Sequence, residues 1–429
     1  MVDLNTLDDD ALVQHLQRAA FGYFTDFSDP VTGLVADTSR PGSPCSIAVV
    51  GFALSCYPIA VKNGWMTREE AALRTLLALR FFHQSLQGEE PEATGHKGFY
   101  YHFLDIRSGK RVWDCELSLI DTALLMAGIC VAGVVFDKPE EREIRDLSRE
   151  LFDRVDWRWA QNGHETLSQG WRPDCGFLHY GWEGYNEATI LYVLGAGSAT
   201  HPLTDQSFAG WTLTYQWEHL MGQDVLYSGP LFTHLFSHAW IDFRGIQDTF
   251  MRQTGSDYFK NTKAAIAIQR LSATRNPDAF TGYGRDFWGV TAGDGPGYSA
   301  MRDNGRDRRF FGYMSRGVPY GPDDGTISPW AMLACLPFDP AAALSGTRHL
   351  IQHYPQVIAG DRFSSGFNPS LVIDGKDWLS EGWYGLDQGL LVMAIENARS
   401  GFVWDLMREC APIIAGLSRN GFIGGWLQP

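Results

Sequence analysis

Helical segments of two kinds alternate along this chain, and no other feature constrains its fold as strongly. The segment 116–136 is apolar nearly all round, whereas 138–155 puts Ile144, Leu147, Leu151 and Val155 on one face and charges on the other. A helix that is apolar on every side must be buried on every side, while an amphipathic one buries only a stripe. Alternating the two calls for an inner ring of helices under an outer ring, with loops at one end free to carry function. Start signals agree with this. Thr67 opens a capping box with Glu70, followed by Leu73, Leu76, Leu77 and Phe81 at helical spacing. Asp137 with Pro139 opens one amphipathic segment, and Asp339 with Pro340 opens another that carries Leu344, Thr347, Ile351 and Tyr354. Further helices are predicted near 8–25, 45–62, 185–197, 208–221, 230–239, 256–275, 327–335, 386–398 and 402–417. Alternating strand patterns are few, so the fold class is all-α. Gly- and Pro-rich loops occupy 38–44, 88–98, 161–184, 276–326 and 360–378. The longest, 276–326, exceeds what a passive connector needs and is expected to help build a site. With no low-complexity linker in view, residues 1–429 read as one domain.

Composition narrows the partners. A formal net charge of −15 disfavours nucleic acid and anionic membrane surfaces. The longest apolar stretch, Ala123 to Phe136, is too short to span a bilayer, so no membrane insertion is expected. The 15 Trp, 16 Tyr and 26 Phe exceed what a core alone asks for, which points to rings lining a groove. Seven Cys without a CxxC pair read as reduced, mostly buried thiols. The start MVDLNTLDDD lacks a basic segment followed by an apolar run. The expected location is therefore cytoplasmic, or periplasmic if a leader was removed. Oligomeric state is not legible.

Short stretches mixing carboxylates with Trp, Tyr and Gly carry the chemistry. They are WEGYNE (Trp182 to Glu187), HAWIDFRG (His238 to Gly245), DFWGVTAGDGPGY (Asp286 to Tyr298) and GLDQG (Gly385 to Gly389). Flat rings stack on the apolar faces of sugars, and carboxyls bind hydroxyls or move protons. The 12 His show no HExxH spacing and the Cys no zinc arrangement. His234 and His238 stand four apart without an evident third ligand, so no metal is expected.

These motifs sit inside longer strings that resemble a known family. The strings include FGYFTDFSDPVTGLVADTS (Phe21 to Ser39), GFYYHFLDIRSGKRVWDCELSLIDTALLMAG (Gly98 to Gly128) and WEGYNEATILYVLGAGSATHPL (Trp182 to Leu203). GPLFTHLFSHAWIDFRGIQD (Gly229 to Asp248), WGVTAGDGPGY (Trp288 to Tyr298) and LDQGLLVMAIENARSGFVW (Leu386 to Trp404) continue them in order. The chain resembles the bacterial glucoamylase-like domain of glycoside hydrolase family 144, the endo-β-1,2-glucanases, and relatives attached to cyclic β-1,2-glucan synthases. The resemblance implies an (α/α)6 barrel and hydrolysis of β-1,2-glucan or its oligosaccharides without a cofactor. Exo-acting and transglycosylating relatives leave endo or exo action open.

Glycosidic cleavage needs a proton donor and either a base or a nucleophile. Glu187 is the candidate acid, since it enters an apolar helix from its rim, where burial raises a carboxyl pKa. The competing reading is a helix-start carboxylate; by resemblance the Glu of GYNE is the family's acid candidate. Asp387 is the candidate base, with helix N-cap or substrate binder as alternatives and Asp374 or Asp377 as other late acids. Glu116 and Asp121 read as sugar binders, with Glu116 as the nucleophile if the enzyme retains configuration. Trp182, Tyr185, Asn186, His238, Trp288, Asp294 and Tyr298 are candidate substrate contacts. Asp242 and Arg244 form either a sugar clamp or a structural ion pair. A non-catalytic glycan binder is the competing function; a lyase fits less well, because lyases act on uronates and this chain is acidic.

Overall fold

The computed structural model describes residues 2–303 and 305–427. It is mostly helical. Helices buried on nearly every side span Ile47–Lys62, Leu119–Val135, Thr189–Gly197, Pro329–Ala334 and Gly385–Ser400. Amphipathic or half-buried helices span Asp9–Phe21, Arg68–Gln84, Arg142–Arg154, Tyr258–Arg275, Pro340–His353 and Ala411–Arg419. The buried helices touch one another in sequence: Ile47–Lys62 packs on Leu119–Val135, which packs on Thr189–Gly197. Gly385–Ser400 packs on both Pro329–Ala334 and Ile47–Lys62. Most of the apolar interior belongs to one continuous cluster running from Leu12 to Phe422.

One tight crossing, between Ile47–Lys62 and Leu119–Val135, requires two glycines. A Cβ at Gly51 would lie 2.2 Å from the Leu124 carbonyl oxygen, and one at Gly128 would lie 2.1 Å from the Gly51 carbonyl oxygen. The backbones meet because neither residue has a side chain.

The caps follow the sequence signals. Thr67 Oγ1 accepts from the Glu70 amide at 3.1 Å, and the Asp339 carboxylate accepts from the Ala342 amide at 3.0 Å. Two expectations fail. The stretch predicted helical at 208–221 gives one short helix, Ser207–Thr212, followed by an antiparallel hairpin of Trp217–Leu220 with Gln223–Leu226. The 230–239 segment forms two 3-10 turns, Leu231–His234 and Ser237–Ala239. Short strands are also commoner than expected. A five-stranded antiparallel sheet joins Gly95–His96, Phe99–Tyr101, Leu117–Ser118, Gly170–Arg172 and Gly176–Phe177. Strands of two or three residues are too short to display a period of two.

The seven cysteines are free, six of them buried and Cys175 exposed. Among the described residues no helix is long and apolar enough to cross a membrane.

Candidate active site

The N-terminal ends of the buried helices bring acids together. Asp121 is the third residue of Leu119–Val135, Asp387 the third of Gly385–Ser400, and Glu187 lies two residues before Thr189–Gly197. The loop 36–44 is stitched onto the start of Gly385–Ser400. Gly385 N–H donates to the Asp37 carbonyl at 2.8 Å, Ser39 N–H to the Trp383 carbonyl at 2.9 Å, and Asp37 N–H to the Pro44 carbonyl at 2.7 Å. These bonds place the Asp37 side chain on the wall of a cleft of about 550 Å³, within the range of small-ligand sites. Arg40, His102, Phe103, Trp113, Tyr313 and Tyr384 line the same cleft.

His102 organises the acids on one wall. Its Nδ1 lies 2.9 Å from Glu116 Oε1 and its Nε2 lies 3.5 Å from Asp121 Oδ2. Burial alone would lower the imidazole pKa, but Asp121, Glu116 and Asp37 together hold it up to about 9. The ring is therefore an imidazolium at neutral pH. Burial works against ionisation of Glu116 too, yet the bond to His102 and the charge of that ring keep its carboxyl below the usual range. Ligand atoms of His102, Glu116 and Asp121 lie within 4.8 Å of one another, near enough to hold an ion. The His102 hydrogen bond and ion pair account for that spacing on their own.

Glu187 is different. It is only partly exposed, and burial, with a further push from the negative charge of Asp121, raises its carboxyl to about 7. The helix N-terminus favours the charged form; desolvation outweighs it. Asp387 is buried, and burial together with the charges of Asp37 and Asp294 drives its pKa well above the carboxylate range. Its Oδ2 has no hydrogen-bond partner among the described residues. Asp37 itself is pushed up to about 6, first by burial and then by Asp121, against the opposing charges of His102 and Arg40. Glu187, Asp121, Asp37 and Asp387 thus form one electrostatically connected set.

The candidates from the sequence divide accordingly. Glu187, Asp387, Glu116 and Asp121 come together. Asp387 is not a helix N-cap, because Tyr384 occupies that position and the Asp387 side chain makes no capping bond. Asp294 lies beside the cleft, where its carboxylate is ion-paired with Arg40 and accepts from Ser380 Oγ at 2.7 Å. Asn186 Oδ1 accepts from the Ala188 amide at 2.9 Å, and Tyr185 Oη bonds to His234 Nδ1 at 3.2 Å. Trp182 packs against the core, and its carbonyl accepts from Tyr192 Oη at 2.8 Å. Those three residues hold the chain that delivers Glu187.

Five residues expected as sugar contacts, Trp288, His238, Asp242, Arg244 and Tyr298, do not line the cleft. Trp288 is fully buried and so cannot stack on a ligand. His238 is buried, its Nε2 3.1 Å from Thr262 Oγ1, and burial lowers its pKa to about 3. Asp242 is buried in an ion pair with both Arg244 and Arg408, while the Arg244 guanidinium lies 4.5 Å from the Trp404 ring centroid. This is the structural alternative, not a sugar clamp. Tyr298 is exposed beside Phe311 and is not among the residues lining the cleft. Asp374 lies in the turn between strands Phe367–Ile373 and Lys376–Leu379, and Asp377 is in the second of them, outside the acid set.

Sequence reasoning missed Asp37, Arg40, His102, Phe103, Trp113, Tyr313 and Tyr384. The signal was present in YYHFLD and VWDCE, which mix rings with acids as the chosen motifs do.

The architecture and sequence have known counterparts. A solved Bacteroides uniformis protein described as a "putative glucoamylase" superposes with a TM-score of 0.86 at 27% identity, covering 99% of this chain and 100% of that one. The endo-β-1,2-glucanase of Chitinophaga pinensis, solved with sophorotriose and glucose, gives a TM-score of 0.84 at 24% identity over 97% of this chain and 99% of that one. The exo-β-1,2-glucooligosaccharide sophorohydrolase (non-reducing end) of Parabacteroides distasonis is 24% identical over 96% of this chain. The chain spans 58% of that relative's length. The model of the Glycoamylase family, whose description is the one given to the Bacteroides uniformis protein, matches residues 179–411, more than half of the chain. The chain belongs to the Glycoamylase family.

Proposed function

We propose that this protein is a glycoside hydrolase acting on β-1,2-glucan or β-1,2-glucooligosaccharides, built as a single (α/α)6 barrel. The observation that carries the reading is that Glu187, whose pKa burial raises to about 7, shares one set of acids with the buried carboxyl of Asp387, whose Oδ2 has no hydrogen-bond partner among the described residues. The ring-like succession of buried helices supports the barrel. The relatives that act on β-1,2-glucans support the linkage.

Glu187 gives its proton to the leaving glycosidic oxygen. Of Asp387 and the neighbouring Asp37, which titrate as a pair, the ionised member takes a proton from the attacking water. An inverting course is favoured over a retaining one with Glu116 as nucleophile. Glu116 already spends Oε1 on the imidazolium of His102, and such a partner makes a carboxylate a poorer nucleophile. A pure glycan binder has no use for an acid held protonated by burial, so catalysis is favoured over binding alone.

The test is product analysis on linear β-1,2-glucan and its short oligosaccharides, with wild type and Glu187→Gln compared by chromatography and by NMR of the first anomer released. Wild type is expected to give α-anomeric products and the variant none. A ladder of products means endo action, and a single disaccharide means exo action. No turnover of any of these glycans by wild type would overturn the assignment.

A further inference from the structure

We propose that Trp113 is an outer glucosyl-binding platform of the cleft and sets the preference for substrate length. The inference deepens the glycosidase reading above and rests on it.

Trp113 lines the cleft yet leaves 69% of its surface exposed. Among the described residues its one close ring neighbour is Phe103, with centroids 5.1 Å apart and planes tilted by 59°. Phe103 in turn stacks on His102 at 3.9 Å and 13°, and His102 is bonded to Glu116 and faces Asp121. A single wall therefore runs outward from the acids through His102 and Phe103 to the indole. Across the cleft, Tyr313 and Tyr384 lie 6.4 Å apart with planes 30° from parallel. An exposed indole on such a wall offers a flat apolar face to a sugar ring and nothing to the core.

The backbone beneath it points the same way. Trp113 and Asp114 both sit in the left-handed region, with φ of 58° and 47°. Two successive non-glycine residues there are strained, and such strain persists where the surrounding structure enforces it. Here the loop is clamped on both sides. Val112 N–H donates to the Phe103 carbonyl at 3.2 Å, Cys115 N–H to the Val112 carbonyl at 3.2 Å, and Arg111 Nε to the Cys115 carbonyl at 2.6 Å. The Arg111 guanidinium also rests 4.7 Å from the Tyr101 ring centroid. A glycine would adopt this turn without strain, so the indole is not there for the sake of the loop. A rigid, strained, exposed ring one position beyond Phe103 suits the apolar face of a glucosyl unit remote from the bond being cut.

The experiment compares wild type, Trp113→Gly and Trp113→Phe on linear β-1,2-glucooligosaccharides of increasing length. Thermal melting is recorded for each. The wild-type kcat/KM is expected to climb with length until the outer position is filled. In Trp113→Gly that climb shrinks by about tenfold, equivalent to about 1.4 kcal/mol, while Tm holds or rises. Trp113→Phe keeps most of the climb. A length profile that overlays wild type overturns the proposal, and so does an equal fall at every length.

A second measurement separates this claim from the glycosidase reading. Calorimetric binding of the same oligosaccharides is measured in Glu187→Gln and in Glu187→Gln/Trp113→Gly. Length-dependent affinity in the first and its loss in the second support the platform whatever the chemistry. Length-dependent affinity unchanged in the second overturns the platform alone. Neither binding nor turnover of any length by the parent proteins overturns both.

Discussion

If Glu187 delivers the proton, the pH profile must carry its signature. An ordinary glutamic acid titrates at 4.5, whereas burial and the nearby charge of Asp121 place Glu187 at about 7. At pH 7 half of the molecules then hold the proton, against roughly 0.3% for an acid at 4.5, a gain of about 150-fold in competent enzyme. The sign follows from the role. A donor must be protonated, so kcat/KM falls as pH rises through about 7, tenfold for each further pH unit. Replacing Asp121 with Asn removes a negative charge that favours the proton, so the alkaline limb of that variant moves to lower pH. Glu187→Gln cannot donate, and its kcat/KM should drop by about 10²–10⁴ with the alkaline limb abolished. The assay is initial-rate hydrolysis of a β-1,2-glucooligosaccharide from pH 4 to 9 in buffers of constant ionic strength. An alkaline limb centred near 4.5, or one that survives in Glu187→Gln, would refute the reasoning.

Three further outcomes are expected. Asp387→Asn should lower kcat/KM by about 10²–10⁴, and Asp37→Asn, which removes a charge that raises Asp387, should move the acidic limb to lower pH; a pH–rate profile checks both. Trp288→Ala should cost about 3–5 kcal/mol in urea unfolding, as truncation of a fully buried ring does, and a loss below 1 kcal/mol would return Trp288 to the list of ligand contacts. Gly51→Ala, whose Cβ would meet the Leu124 carbonyl oxygen at 2.2 Å, should destabilise by about 1–3 kcal/mol or more, read as a fall in Tm.

Particular residues show how much was legible in advance. The all-round apolarity of 119–135 announced a helix buried on every side, and Thr67 and Asp339 announced their caps, because helix periodicity and capping are local properties of the chain. Glu187 was legible for the same reason: a carboxyl leading into an apolar helix has a raised pKa wherever that helix is buried. The hairpin Trp217–Leu220 with Gln223–Leu226 was not, since its residues suit a helix as well and only packing against Tyr258–Arg275 decides the matter.

Trp288 and Trp113 mark the limit most clearly. Both lie next to acids in similar-looking strings, yet one is sealed in the core and the other is 69% exposed on the cleft. Nothing in either string distinguishes them, because exposure depends on what the rest of the chain stacks above the ring. His102 and Asp37 show the same from the electrostatic side. About 65 residues apart in sequence, they feel each other's charge only after the loop 36–44 is stitched to the helix Gly385–Ser400 and the short strands carry His102 to the cleft wall. The sequence by itself determined which helices are buried and which acids stand at their ends, since hydrophobic patterning and helix starts are written within a few turns. Only the tertiary structure decided which of those acids share a field, since a charge acts through distance in space and not along the chain.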